Sequence, residues 1–274
     1  MSNVRRLPKT LLVGGAAVVI STLGLQAADV FQGNSSLLRG LVSEGVNVCP
    51  VGTVRMVFGT HAVCFDQYES SPGSACPQRD SRNEQLSRQN IDEVSCEPVS
   101  EAEAMPWRFV SQTQAEQLCA RVGKRLPSSE EWYRTALGLT EQSDCVVDSG
   151  SNPEMTGTGR CSSQSGVYDL VGNVWEWTNE TVREGVVREE ITLPEPGFVA
   201  MVDQYGVVAS TSPTPVPEFG DDYAWVNREG VRGVLRGGFY GAGSDAGIFS
   251  QNYSVAPTLK TNGIGFRCVQ DIVL

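Results

Sequence analysis

The chain has 274 residues, of which 19% are charged, and a formal net charge of −11. That balance argues against nucleic acid and anionic membrane surfaces as partners, because both need basic patches. Eight cysteines, one histidine (His61) and no C-x2-C pair argue against zinc and for disulfides.

The N-terminus reads as an export segment. Arg5, Arg6 and Lys9 precede an apolar stretch from Leu11 to Leu25, and Gln26-Ala27-Ala28 offers small residues for cleavage. Two readings of residues 1–28 stay open, a cleaved signal peptide and an uncleaved membrane anchor. Either places the rest outside the cytoplasm, secreted, periplasmic or held at the cell surface, with membrane contact only through an uncleaved anchor. Residues 29–46 read as a stem, and residues 47–274 as one domain long enough to bury a sizeable core.

Val51 to Phe65 reads as short strands around a Gly59-Thr60 turn. Ser70 to Glu97 is polar and reads as a long loop tied by Cys76 and Cys96. Ser111 to Gln114 is a capping box, and Ala115, Leu118, Cys119 and Val122 follow at helical spacing until Gly123 ends the helix. A second capping box, Ser128 to Glu131, starts a helix that turns Trp132, Ala136 and Leu137 inward. Beyond Trp177 the chain reads as irregular. The run Thr211 to Pro217, with Pro213, Pro215 and Pro217, is an exposed extended loop, since proline fits neither helix interior nor central strand. Gly230 to Phe239 and Ile264 to Val269 read as strands. Two main helices and many short strands with Gly-rich loops make an α+β pattern. Disulfide connectivity is open at this level; short loops suggest Cys49–Cys64, Cys76–Cys96 and Cys145–Cys161, leaving Cys119 and Cys268.

The most informative run is Gly166 to Trp177, in which two tryptophans bracket Glu176 and Asp169 lies seven residues before it. With Pro106 to Ser111, Gly123 to Trp132 and the segment from Arg236-Gly237-Gly238 to Cys268, it resembles the sulfatase-modifying-factor family, whose best-known members are formylglycine-generating enzymes. The resemblance implies a C-type-lectin-like α+β domain, little regular and disulfide-stapled. It also implies a Cys119–Cys268 disulfide. It further implies a structural calcium ion held by the Asp169 side chain, the Gly172 and Val174 carbonyls and the Glu176 carboxylate, a donor set suited to a hard cation. The alternative is that Asp169 and Glu176 cap turns or pair with arginine.

The generating enzymes use copper held by two cysteines just after the Gly-Gly pair. Here Ala242 and Gly247 stand at those positions. Neither can ligate copper or attack as a thiolate, so no copper and no formylglycine generation are expected. Another branch of the family binds iron through several histidines, and His61 alone does not supply that set.

What remains is the segment of the family's ligand groove, here Arg236, Phe239, Tyr240, Ser244, Asp245, Phe249, Gln251, Asn252 and Tyr253. Aromatics mixed with small polar groups suit an adaptable binding surface, although the same aromatics can simply fill a core. The expectation is a non-catalytic binding domain for a peptide, a glycan or an envelope protein. An enzyme of other chemistry, using Asp245 with Arg236 or Tyr240, is one alternative; a structural envelope subunit is the other.

Overall fold

A computed structural model describes residues 49–139 and 144–273; the export segment and stem lie outside the described residues. Strands β1 (Thr53–Phe58) and β2 (His61–Asp66) pair antiparallel across the Gly59 turn, with Phe58 opposite His61. The last strand, β14 (Val269–Ile272), lies on the other side of β2 and completes a three-stranded sheet. As the central strand, β2 is buried from Ala62 to Asp66.

The polar stretch after Ser70 is not one loop. It contains β3 (Ser70–Pro72), which pairs with β4 (Pro98–Ser100), and between them helix α1 (Glu84–Asp92), capped by Asn83. This helix buries Ser87 and Asn90 in place of an apolar stripe. The Trp107 indole donates to Ser87 Oγ at 3.1 Å, and Asn90 bonds both backbone groups of Gln78 at 2.9 and 2.8 Å. Hydrogen bonds do the work that hydrophobic periodicity usually reveals, so the sequence signal was missing.

Helices α2 (Gln112–Arg121) and α3 (Ser129–Ala136) both start with reciprocal capping boxes, Ser111 with Gln114 and Ser128 with Glu131. Ala115, Leu118 and Cys119 are buried as their spacing requires, and Gly123 follows α2 with φ +69°. In α3, Trp132 and Ala136 face inward. Leu137 does not: it is the C-cap, with extended backbone, and is exposed.

The region after Trp177 is more regular than its composition suggests. Strand β5 (Trp175–Arg183) continues through it, followed by β6 (Val186–Val187), β7 (Ile191–Thr192), β8 (Gly197–Val202) and β9 (Val208–Ser212). Strands β10 (Tyr223–Val226), β11 (Val231–Arg236) and β12 (Gln251–Tyr253) complete the path β7-β6-β5-β11-β12-β10-β8-β9. The final segment is two strands. β13 (Ile264–Phe266) pairs parallel with β5, and the chain then crosses through Arg267 and Cys268 to β14 in the other sheet.

The four disulfides are Cys49–Cys64, Cys76–Cys96, Cys119–Cys268 and Cys145–Cys161. Cys119–Cys268 ties α2 to the crossover over 149 residues of sequence. A loop of that length constrains the unfolded chain by about 3–5 kcal/mol.

An ion-pair network joins α3 to β14. Arg125 donates to both oxygens of Glu131 at 2.8 and 2.7 Å and to Asp271 at 2.6 Å, while the Ser128 N–H donates to Glu131 at 2.8 Å. Burial alone would raise the Glu131 pKa, but the Arg125 and Ser128 donors hold it below the ordinary 4.5. A lowered native pKa gives stability that is present above the unfolded value and lost as pH falls through the native one. Glu131→Gln is therefore expected to cost roughly 2–4 kcal/mol in urea unfolding at neutral pH, and the gap from the parent should shrink as the buffer is taken well below pH 4.5.

Candidate ligand groove and buried carboxylate cluster

The motif before β5 turns through left-handed backbone at Asp169, Gly172 and Asn173 (φ 57°, 79° and 51°). Gly172 is required twice over, because a Cβ there would also overlap the Val146 carbonyl. Val167, Leu170, Val171 and Val174 bury themselves, which leaves the polar groups of the same turn to face one another. The Asn173 amide donates to Glu69 Oε2 at 2.5 Å and the Val174 N–H to Glu69 Oε1 at 3.1 Å. Asp169 Oδ2 accepts from the Gly157 N–H at 2.6 Å.

Glu176 faces Arg267. The guanidinium donates to Glu176 Oε1 at 2.5 and 2.9 Å and to Oε2 at 2.8 Å, and the Trp132 indole adds a bond to Oε2 at 2.7 Å. Arg267 also donates to the Asp66 carbonyl at 3.1 Å and the Tyr168 carbonyl at 2.8 Å. Both partners are fully buried. Three buried carboxylates thus surround one guanidinium. Burial pushes Glu69 well above the usual carboxylate range, with Asp169 and Glu176 adding to the rise. Burial pushes Asp169 to about 6, against the pull of the Gly157 N–H and Arg267.

This geometry tests the calcium expectation. Both Glu176 oxygens are occupied by Arg267 and Trp132, and one Asp169 oxygen by Gly157. Among the described residues no group of three or more His, Cys, Asp or Glu side chains is arranged to hold a metal. As placed, Glu176 does not fit a calcium ligand. Its partner is an arginine, which was the alternative reading of this carboxylate.

Of the two positions that carry thiols in the generating enzymes, one is closed to a side chain. A Cβ at Gly247 would overlap the Asp222 carboxylate, whose Oδ2 is held by the Phe249 N–H at 2.7 Å. Ala242 packs against the cluster around Trp132 and Val269. All cysteines in the described residues are disulfide-bonded.

A cavity of about 360 Å³ is lined in part by Phe239 and Tyr240, which directly follow Gly237-Gly238. Of the expected groove residues, Phe239, Tyr240 and Asn252 line it. The others do not. Arg236 is fully buried, stacks over the Trp132 and Tyr133 rings and donates to the Gly206 and Ile248 carbonyls. Gln251 and Tyr253 are buried and bonded to each other. Phe249 packs on Tyr133 and Phe219, so the core-filling reading holds for it. Ser244 and Asp245 form a short 3-10 turn. The wall that the sequence did not indicate comes from Trp175, Leu235, Val255, Leu259 and the turn Thr261 to Ile264. Trp175 sits inside the recognised motif, but nothing in its spacing says which face it takes.

The sulfatase-modifying factor enzyme 1-like domain family matches residues 59–272, and the chain belongs to that family. The hercynine oxygenase of Mycobacterium tuberculosis (strain ATCC 25618 / H37Rv) is 30% identical over 151 residues, covering 48% of this chain; the chain spans 29% of that relative's length. Among solved structures, CarF is similar at 15% identity and TM-score 0.45, over 82% of this chain and 100% of that one. Treponema denticola variable protein 1 is similar at 15% identity and TM-score 0.44, over 81% of this chain and 92% of that one. The Major Tropism Determinant U1 variant is similar at 18% identity and TM-score 0.44, over 83% of this chain and 54% of that one.

Breaking a buried pair on one side leaves a bare charge, so Arg267→Met should cost roughly 3–5 kcal/mol. Arg267→Met with Glu176→Gln should cost clearly less than the sum of the single changes in a double-mutant cycle. EDTA should leave the melting temperature unchanged; a fall reversed by added calcium would restore the ion to this motif.

Proposed function

We propose that this chain is an exported ligand-binding domain of the sulfatase-modifying-factor fold and not a thiol-dependent oxidase. The observation that carries the reading is the packing at Gly247, where the Asp222 carboxylate fills the space a side chain would need. A cysteine there would require Asp222 to leave the Phe249 N–H that holds it. Ala242 removes the other thiol of the pair. The binding element is the cavity beside Phe239 and Tyr240. Four disulfides suggest an oxidising, extracytoplasmic environment.

Iron chemistry of the hercynine-oxygenase kind does not suit this donor set. His61 is the single histidine; its side chain is half exposed, 3.3 Å from Glu131 in the Arg125 network. The alternative pairing of Asp245 with Arg236 is disfavoured because Arg236 spends its donors on backbone carbonyls in the core.

The test is mass spectrometry of a Cys-x-Pro-x-Arg peptide incubated with the full chain, copper(I), oxygen and reductant. The expected result is peptide of unchanged mass. Conversion of its thiol to an aldehyde would contradict the reading.

A further inference from the structure

The large sheet carries a row of aromatic rings on one face. Phe198 and Tyr223 have ring centroids 5.3 Å apart at 82°, Tyr223 and Trp225 4.9 Å at 53°, and Trp225 and Trp175 5.5 Å at 89°, so neighbouring rings meet edge-on or tilted and each offers its own face. Phe198 on β8 lies opposite Tyr223 on β10, and Trp225 lies beside Asn252 on β12. Ala224, between the two β10 rings, points into the core, so strand alternation puts Tyr223 and Trp225 on the outer face, where both are partly exposed. At its Trp175 end the row runs into the cavity beside Phe239 and Tyr240.

None of the eleven residues lining that cavity is charged, although the chain as a whole is strongly acidic. Its polar groups are side-chain amides and hydroxyls. Asn252 accepts at Oδ1 from the Ser254 N–H and hydroxyl at 2.9 and 2.8 Å, which leaves its NH2 to donate. Tyr240 accepts from Asn262 at 3.1 Å and Thr261 Oγ1 from the Gly263 N–H at 3.3 Å, which leaves both hydroxyl protons to donate. A matching ligand therefore presents uncharged oxygen acceptors and apolar C–H faces that lie on ring faces.

We infer that the partly exposed rings and the cavity form an extended subsite for a neutral oligosaccharide, its sugar rings lying against Phe198, Tyr223 and Trp225 and its end unit in the cavity that the buried Trp175 lines. This rests on the ligand-binding reading above and narrows it. An extended peptide is the poorer fit. Peptides often gain affinity by adding a strand to a free sheet edge, and of the strands that line the cavity β5, β11 and β12 are already paired on both sides, β13 being paired with β5 alone among the described residues. A charged ligand would find no counter-charge in the cavity wall.

The experiment is titration calorimetry of the full chain, prepared with its disulfides formed. The probes are neutral oligosaccharides of the gluco-, manno-, galacto- and N-acetylglucosamine series, two to six units long, with a uronic-acid oligomer and an uncharged peptide library beside them. At least one neutral series should bind, and tighten by about tenfold from two to four units as further rings are covered. Trp225→Ala should weaken the long members at least about tenfold and the shortest ones little, since its ring lies outside the cavity. Should that variant lose its native circular dichroism, Thr261→Val, which removes one donor inside the cavity and keeps the volume, is the second variant, and it should weaken short and long members alike by roughly fivefold. No neutral series binding at millimolar concentration, or affinity that is independent of both length and Trp225, overturns the inference. Peptide binding that is lost in Trp225→Ala would overturn the sugar assignment and leave the binding-domain reading standing; silence from every probe would count against both.

Discussion

Arg267 is the hinge pin of the structure. It leaves the β13 strand at the point where the chain crosses from the large sheet to the small one, and it stands next to Cys268, the C-terminal half of the longest disulfide. Its guanidinium reaches Glu176 on β5, the Asp66 carbonyl on β2 and the Tyr168 carbonyl in the motif turn. Glu176 in turn holds the Trp132 indole of α3. One buried cation therefore fixes both sheets, a helix and the irregular turn in a single register. The desolvation of such a pair is expensive, and buried ion pairs are often no more stabilising than apolar replacements. What this pair supplies is a set of directed bonds across a region that has little regular structure.

That arrangement sets the shape of both candidate sites. The turn from Asp169 to Asn173 follows its left-handed path against Glu69, which accepts from the Asn173 amide and from the Val174 N–H. Gly237, at the end of β11, approaches the Leu170 carbonyl too closely for a side chain and receives the Gly172 N–H on its own carbonyl at 3.0 Å. Phe239 and Tyr240 follow directly, and the Tyr240 N–H bonds the Asn173 carbonyl at 2.9 Å. The wall of the cavity is thus bonded to the motif that Arg267 organises. At the thiol positions of the generating enzymes, Asp222 fills the space beside Gly247 and Ala242 stands at the other place. Neither of these two positions carries a sulfur atom.

Much of this was legible in the sequence where local rules decide. The two capping boxes and the apolar face of α2 follow from spacing, the family from the resemblance of its motifs, and the short-loop disulfides from proximity along the chain. Legibility failed where long-range polar contacts decide. Helix α1 is held by Ser87 and Asn90, which carry no hydrophobic signal. Glu176 has the right chemistry for a cation, and only tertiary structure shows that the cation is Arg267, 91 residues away. The groove was half legible: Phe239, Tyr240 and Asn252 could be picked out by motif position, but the strands after Trp177 were hidden by turns and prolines. The aromatic row depends on the register of β8, β10 and β5, which no single segment encodes.

The central claim is that the Arg267–Glu176 pair positions the groove as well as the motif. Amide hydrogen exchange on Glu176→Gln, which keeps the shape of the side chain and removes its charge, tests it most directly. The account predicts that protection falls together at Trp175 to Thr178, at Ile264 to Val269 and at the groove amides of Tyr240 and Gly263. Loss confined to the neighbours of residue 176, with the groove amides as protected as in the parent, would contradict it.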